Sequence, residues 1–214
     1  MPDLDFFVEG AQPIPYSATP LLALNLRIRN RDTSKQIRSI ALQCQVQIEA
    51  PRRQYSPQEQ QGLLDLFGEP ERWSQTLRNT LWTHASVNVA GFDTETVAAL
   101  PVPCTFDFNI AATKYFHALE GGVVPLCLLF SGTIFYQDQG IQIAPIPWNK
   151  EARFKMPVDV WKQVIDRHYP NTAWLALRRD TFDRLHAYKM QLGVASWEEA
   201  LDRLLRAPVE EALV

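Results

Sequence analysis

The chain has 214 residues, 46% of them hydrophobic and 21% charged, with a net charge of −3. That length and balance suit one large globular domain, or a domain with an appendage, and require no disulfide or metal staple. Residues 151–214 carry ten basic and ten acidic side chains and the rest leans acidic, so neither part has the basic excess of a nucleic-acid footprint. Cys44, Cys104 and Cys127 are odd in number and each sits in an apolar strand pattern. They read as buried free thiols in a reducing compartment. The first residues lack a basic, apolar leader, so the expected location is the cytoplasm.

In chain order, Leu4, Phe6 and Val8 suggest a short first strand, and Pro13, Pro15 and Pro20 an irregular crossing. Residues 22–29 alternate, with Leu22, Leu24, Leu26 and Ile28 facing in. After a polar turn at 30–35, Ile40, Leu42, Cys44, Val46 and Ile48 face in and Gln43, Gln45 and Gln47 face out. Two such runs around a turn predict an antiparallel hairpin with one solvated, Gln-rich face. The period then changes. Ser56-Pro57-Gln58-Glu59 has the form of a capping box. A second helix from Pro70 to about Thr83, with Trp73, Leu77, Leu81 and Trp82 on its apolar side, would complete a helical hairpin over 56–83.

Residues 86–90, 94–100 and 104–110 read as further strands. Residues 111–119 fit a short helix or one arm of a long hairpin that turns at Glu120-Gly121-Gly122, and the hairpin is favoured. Residues 123–136 are apolar on both sides of an extended chain, too short and interrupted to cross a membrane. Such a strand belongs in the middle of a sheet. Residues 141–146 and 154–156 end the β part, an antiparallel domain over 1–156. From Pro157 the chain becomes helical, with a short extended piece at 174–178. Gly193 suits the C′ position of a helix over 181–192, and Ser196-Trp197-Glu198-Glu199 opens a last helix.

Motifs for reactive chemistry are sparse. There is no phosphate-cradling Gly-rich loop and no Gly-x-Ser-x-Gly elbow. Ser131, within the central strand, is expected as a buried hydroxyl bonded to backbone rather than a nucleophile. His84, His117, His168 and His186 never occur at ligand spacing. A metal or enzyme site would have to gather dispersed groups such as His84, Cys104, Asp107 and His117. Asp159 and Asp166 could share a helix face, where solvated acids are the ordinary outcome.

Two local patterns resemble known modules. Residues 174–178 followed by helix, Gly turn and helix resemble a ribbon-helix-helix module, whose strand pairs with a second copy and reads DNA. The resemblance places Trp174, Ala176 and Arg178 outward, and only Arg178 can hydrogen-bond a base edge. The paired strands expected over 105–135 look more loosely like the export chaperones of the SecB type. Over nearly its whole length the chain resembles an uncharacterised bacterial family. The matching stretches are Leu66-Phe67-Gly68-Glu69-Pro70-Glu71-Arg72-Trp73, Pro101-Val102-Pro103-Cys104-Thr105-Phe106-Asp107-Phe108, Leu129-Phe130-Ser131-Gly132-Thr133 and Pro147-Trp148. That resemblance implies an association with gene clusters for [NiFe] hydrogenases, at most an accessory or assembly role, and no catalytic residue.

The sequence therefore predicts an α+β protein. An antiparallel sheet or sandwich carries a helical insertion at 56–83 and a helical region over 157–214. The expected function is non-enzymatic: protein binding or assembly, for a hydrogenase or another multi-subunit enzyme, with a homodimer as one arrangement. Trp73, Trp82, Trp148, Trp174 and Trp197 are the candidate protein-binding residues, because Trp is enriched in binding hot spots. No cofactor, membrane or nucleic-acid partner is expected. The alternatives are a metal-binding protein or enzyme built from the dispersed groups, and a DNA-binding dimer acting through the tail.

Overall fold

The computed structural model describes residues 2–107 and 110–206. The chain divides into two compact units, Met1–Trp174 and Leu175–Val214. In the first unit, strands β1 (Leu4–Pro13), β2 (Leu21–Asn30) and β5 (Glu95–Pro103) form one antiparallel sheet in the order β1-β2-β5. Strands β4 (Thr80–Phe92), β3 (Gln36–Ile48), β6 (Val123–Asp138) and β7 (Gly140–Pro145) form a second, with β8 (Glu151–Pro157) also paired to β6. This is the order of an immunoglobulin-like sandwich, an architecture shared without sequence similarity. It realises the expected α+β class with antiparallel sheets.

The core lies between the sheets. Leu22, Leu24, Leu26 and Ile28 of β2 and Ile40, Leu42, Cys44, Val46 and Ile48 of β3 are all buried in one cluster. Phe6 of β1 stacks on Phe130 of β6 at 4.3 Å between centroids, joining the two layers. Each such side chain contributes roughly 1.5–3 kcal/mol by leaving water. The predicted β2–β3 hairpin is therefore corrected: the two strands lie in different sheets, and the turn between them crosses the sandwich. Asn30 shows why. It continues the inward register of β2 and is only 2% exposed. Its Nδ2 donates to the carbonyls of Asp32 (2.9 Å), Lys35 (2.8 Å) and Asp93 (3.2 Å), which fixes an arch instead of a hairpin turn.

β6 is flanked along its length, by β3 on one edge and by β8 and β7 in tandem on the other. Its inward face, Leu126, Leu128, Phe130 and Ile134, is buried as expected. Its other face is only partly covered: Leu129 and Phe135 are half-buried and Ser131 is exposed.

The insertion between β3 and β4 is shorter than predicted. Helices α1 (Pro57–Gly62), α2 (Leu64–Phe67) and α3 (Trp73–Thr76) are single turns or little more. The capping box at Ser56 and Glu59 is present in full. The second helix does not reach Thr83, because β4 starts at Thr80. A bulge opposite Val46 and Gln47 spaces the buried Trp82 and Ala85 three residues apart, which imitates a helical period inside a strand.

Two further expectations are corrected. No strand spans 104–110: Asp107 makes a single parallel bridge to Trp174, and Phe108 and Asn109 lie outside the described residues. Residues Ala111–Ala118 form helix α4, not a hairpin arm. Ala112, Tyr115 and Phe116 are buried, and Phe116 stacks on Trp161 at 5.0 Å. The likeness to paired SecB-type strands falls with the hairpin.

Helix α5 (Val158–His168) buries Val158, Trp161, Val164 and Ile165 in the sandwich core. The division of the chain consequently falls after Trp174, not after Met156. The second unit contains helices α6 (Arg179–Leu192) and α7 (Trp197–Arg206), joined through Gly193 with φ 64°. Residues 175–178 precede them outside any helix or named strand. No described helix is long and apolar enough to cross a membrane.

Candidate functional site

The outer face of the five-stranded sheet follows from its register. Gln43 on β3 lies between Ser86 on β4 and Ser131 on β6, and Gln45 lies between His84 and Leu129. The inward neighbours of these residues fill the core, so the alternation of the strands sends these side chains to solvent. Together with Trp148 they line a groove of about 620 Å³. Among the described residues no Asp, Glu, Lys or Arg side chain lines it.

Trp148 is 93% exposed. It stands on the loop between β7 and β8, and β6 grips that loop on both sides. Ile146 N–H donates to the Gly132 carbonyl (2.9 Å), and Phe130 N–H donates to the Lys150 carbonyl (2.9 Å). The indole is therefore presented by an ordered turn. On β7, the strand that leads into this loop, Ile141 and Ile143 are 71% and 66% exposed. Ile143 pairs with Phe135 and Pro145 with Thr133, which places the apolar rim on the same sheet face as the groove. β7 also ends the strand order among the described residues, so its far side is a sheet edge.

Gly132 makes this floor possible. Its φ is 130°, and a Cβ there would come within 2.1 Å of the Ala41 carbonyl oxygen. Only glycine lets β6 approach β3 so closely at that point.

The five candidate tryptophans occupy different settings. Trp82 is buried and lies 4.8 Å from Phe116. Trp73 is half-buried, edge-on to Tyr55 and Phe67, with its Nε1 donating to the Gly68 carbonyl at 2.8 Å. Trp174 is exposed and edges Phe106 at 5.9 Å. Trp197, in the second unit, packs near Phe182 and His186 of α6 under Lys189. Only Trp148 among them projects almost wholly into solvent.

The dispersed reactive groups are not gathered. Among the described residues no group of three or more His, Cys, Asp or Glu could hold a metal ion. Cys104 is buried, its thiol pushed up to about 12 by desolvation. Cys44 is likewise pushed up to about 12 by burial, with a lesser contribution from Cys127. His117 stands edge-on to Trp161 at 5.1 Å, and burial, then Lys162, lowers its pKa. His84 opens to the groove, and Asp159 and Asp166 face solvent. Ser131 is exposed in the groove, contrary to the buried hydroxyl expected. It lies two strand spacings, about 10 Å, from the strand that carries His84, too far for a base.

Sequence reasoning missed one pairing. His168 Nε2 lies 3.2 Å from Ser17 Oγ, with Nδ1 2.9 Å from the Val164 carbonyl. Ser17 Oγ donates to the Thr19 carbonyl at 2.6 Å, and His168 Nε2 also meets the Ser17 carbonyl at 3.2 Å. The hydroxyl proton is held by backbone, so the pair ties the β1–β2 loop to α5 and activates no nucleophile. No sequence spacing links residues 151 apart.

A family model described as "Family of unknown function (DUF6084)" matches residues 1–212. The chain belongs to that family. Its description carries no activity, and neither the hydrogenase association nor the ribbon-helix-helix likeness receives independent support from it. No curated protein matches the chain. Among solved structures, the β-glucosidase 3B of Thermotoga neapolitana, in complex with α-D-glucose, is similar at 11% identity and a TM-score of 0.26. The match covers 72% of this chain and 17% of that one, and a likeness so remote carries no argument.

Proposed function

We propose that this chain is a non-enzymatic binding protein that docks another protein on the outer face of its five-stranded sheet. The supporting observation is Trp148, 93% exposed on an anchored loop, with Ile141 and Ile143 exposed on the strand that leads into that loop. Exposed large apolar side chains gathered on one face mark interaction sites. The groove that Trp148 lines offers neutral amides and hydroxyls from Gln43, Gln45, Ser86 and Ser131, groups that suit a peptide backbone better than a charged ligand. The free edge of β7 adds main-chain donors and acceptors for an extended segment. A large multi-subunit enzyme, such as the hydrogenases named by the family resemblance, is the class of client an accessory protein of this kind would hold.

A photo-crosslinking residue at position 148, introduced in cells, tests this reading. It should trap one protein partner, while the same residue at Val97, exposed on the opposite sheet, should not. With the partner in hand, Trp148→Ala should weaken binding at least thirtyfold, the scale of a hot-spot loss of about 2 kcal/mol. Equal crosslinking at both positions would refute the assignment of this face.

A further inference from the structure

We propose that the protein segment docked in the groove carries an Asp or Glu at its end away from Trp148, held in a cationic pocket on the same sheet face. This inference rests on the docking reading and names the chemistry of its partner. On β6, Ser131 and Leu129 border the groove, and Cys127 and Pro125 follow them on the same face by alternation. Arg153 and Lys155 of β8 pair with Cys127 and Pro125, and Glu49 N–H donates to the Pro125 carbonyl at 2.8 Å. Leu129 and Pro125 are four residues apart, about 13 Å of strand. There the face opens into a second pocket of about 320 Å³, whose lining includes Pro125, Glu49, Arg52, Arg153 and Lys155.

Charge distinguishes the two ends of this face. Among the described residues the second pocket is lined by three cations and one carboxylate, whereas the chain as a whole carries −3. Glu49 is 6% exposed and fixes two guanidiniums: its Oε1 accepts from Arg52 Nη1 and from Arg153 Nε, each at 3.3 Å. Arg153 Nη1 also meets Glu151 Oε1 at 3.0 Å. These contacts leave Nη2 of both arginines for a further acceptor. Covering the two carboxylates accounts for the two arginines. It does not account for Lys155, which is exposed and has no acidic partner among the described residues. One positive charge is thus in excess even when Glu151 is counted, and three side-chain donor groups converge on one hollow. Charged side-chain donors suit a carboxylate side chain, whereas a chain terminus is held by a nest of backbone N–H groups. The groove takes peptide amides and this pocket takes the acid, and an extended segment of about six residues reaches both.

The test uses the full chain in cells, with a photo-crosslinking residue at position 148 or, separately, at Val123. Val123 is 41% exposed, two residues beyond Pro125 on the same face of β6. Mass spectrometry of the linked peptides should place both crosslinks on one partner segment, within about ten residues of each other, with an Asp or Glu at the end joined to position 123. With that partner purified, Lys155→Glu should weaken binding about tenfold, mainly through slower association. It should also flatten the loss of affinity as salt rises from about 50 to about 500 mM. Arg167→Glu, the same change of net charge at an exposed position of α5, should leave affinity and salt dependence unchanged. Crosslinks at position 123 that fall on a segment without an acid would overturn the proposal, and so would a Lys155→Glu chain that binds like wild type. Either result, with capture at position 148 intact, defeats this inference alone. Failure of position 148 to capture a partner defeats the docking reading and this one with it.

Discussion

Glu59 offers the sharpest test of how the helical insertion is fixed to the sandwich. Its carboxylate is buried, and every neighbour donates to it. Oε2 accepts from Ser56 N–H at 3.1 Å, and Oε1 accepts from Glu120 N–H at 3.0 Å and from Arg53 Nη2 at 2.6 Å. Arg53 in turn donates to the carbonyls of Val123 and Gly121, at the start of β6. One ion pair, with side chains 10% and 5% exposed, thus joins α1, the 119–122 turn and the central strand. Glu59→Gln keeps the shape and removes the charge. Breaking one partner of a buried pair costs about 3–5 kcal/mol, and the carbonyls that still hold Arg53 place this case near 3. In a unit of this size that corresponds to a melting temperature lower by about 6–12 °C. Urea unfolding followed by tryptophan fluorescence would measure it.

The pH dependence supplies the sign. Desolvation pushes the Glu59 pKa up, but the hydrogen bonds from Ser56, Glu120 and Arg53 outweigh it and hold it below the ordinary 4.5. A carboxyl depressed in the fold contributes stability that is complete above its unfolded pKa and is lost as pH falls through its folded one. The gap between wild type and Glu59→Gln should therefore be constant near neutrality and shrink below about pH 4.5. A gap under 1 kcal/mol at pH 7, or one that widens in acid, would refute the reasoning.

Two further outcomes follow from the same structure. Gly132→Ala should cost more than about 3 kcal/mol or prevent folding, since its Cβ would meet the Ala41 oxygen at 2.1 Å in a backbone region closed to L-residues; circular dichroism and melting would show it. Cys44 and Cys104, each pushed up to about 12, should resist a thiol reagent at pH 8 in the native protein and react at once in guanidinium.

The strands were legible because burial on one side of a sheet writes a period of two into the chain. Leu22 to Ile28 and Ile40 to Ile48 carry that period plainly, and both runs are buried as read. Which sheet each strand joins was not legible, because two strands facing one core show the same pattern whether they lie side by side or opposite. The available hint was Asn30, a polar residue in an inward register, which demands partners wherever the chain turns. Helix α4 was misread for a related reason. Tyr115, Phe116 and Leu119 satisfy either period over so short a run, and only Trp82 and Trp161, brought from distant segments, decide for the helix.

The docking face was harder to read than the fold. Gln43, Gln45, Ser86 and Ser131 are ordinary solvent-facing residues in any one strand, and their meaning arises from the register that sets them in a row. Trp148 could be named from composition but not ranked, because six tryptophans share the same prior and burial alone separates them. Trp82 and Trp161 hold helices to the sandwich; Trp148 touches solvent on nearly every side. An indole so exposed adds little to the stability of its own chain, whose loop is already fixed to β6 by backbone bonds at Ile146 and Lys150. The energy of covering it remains available, and a second surface is what can take it up.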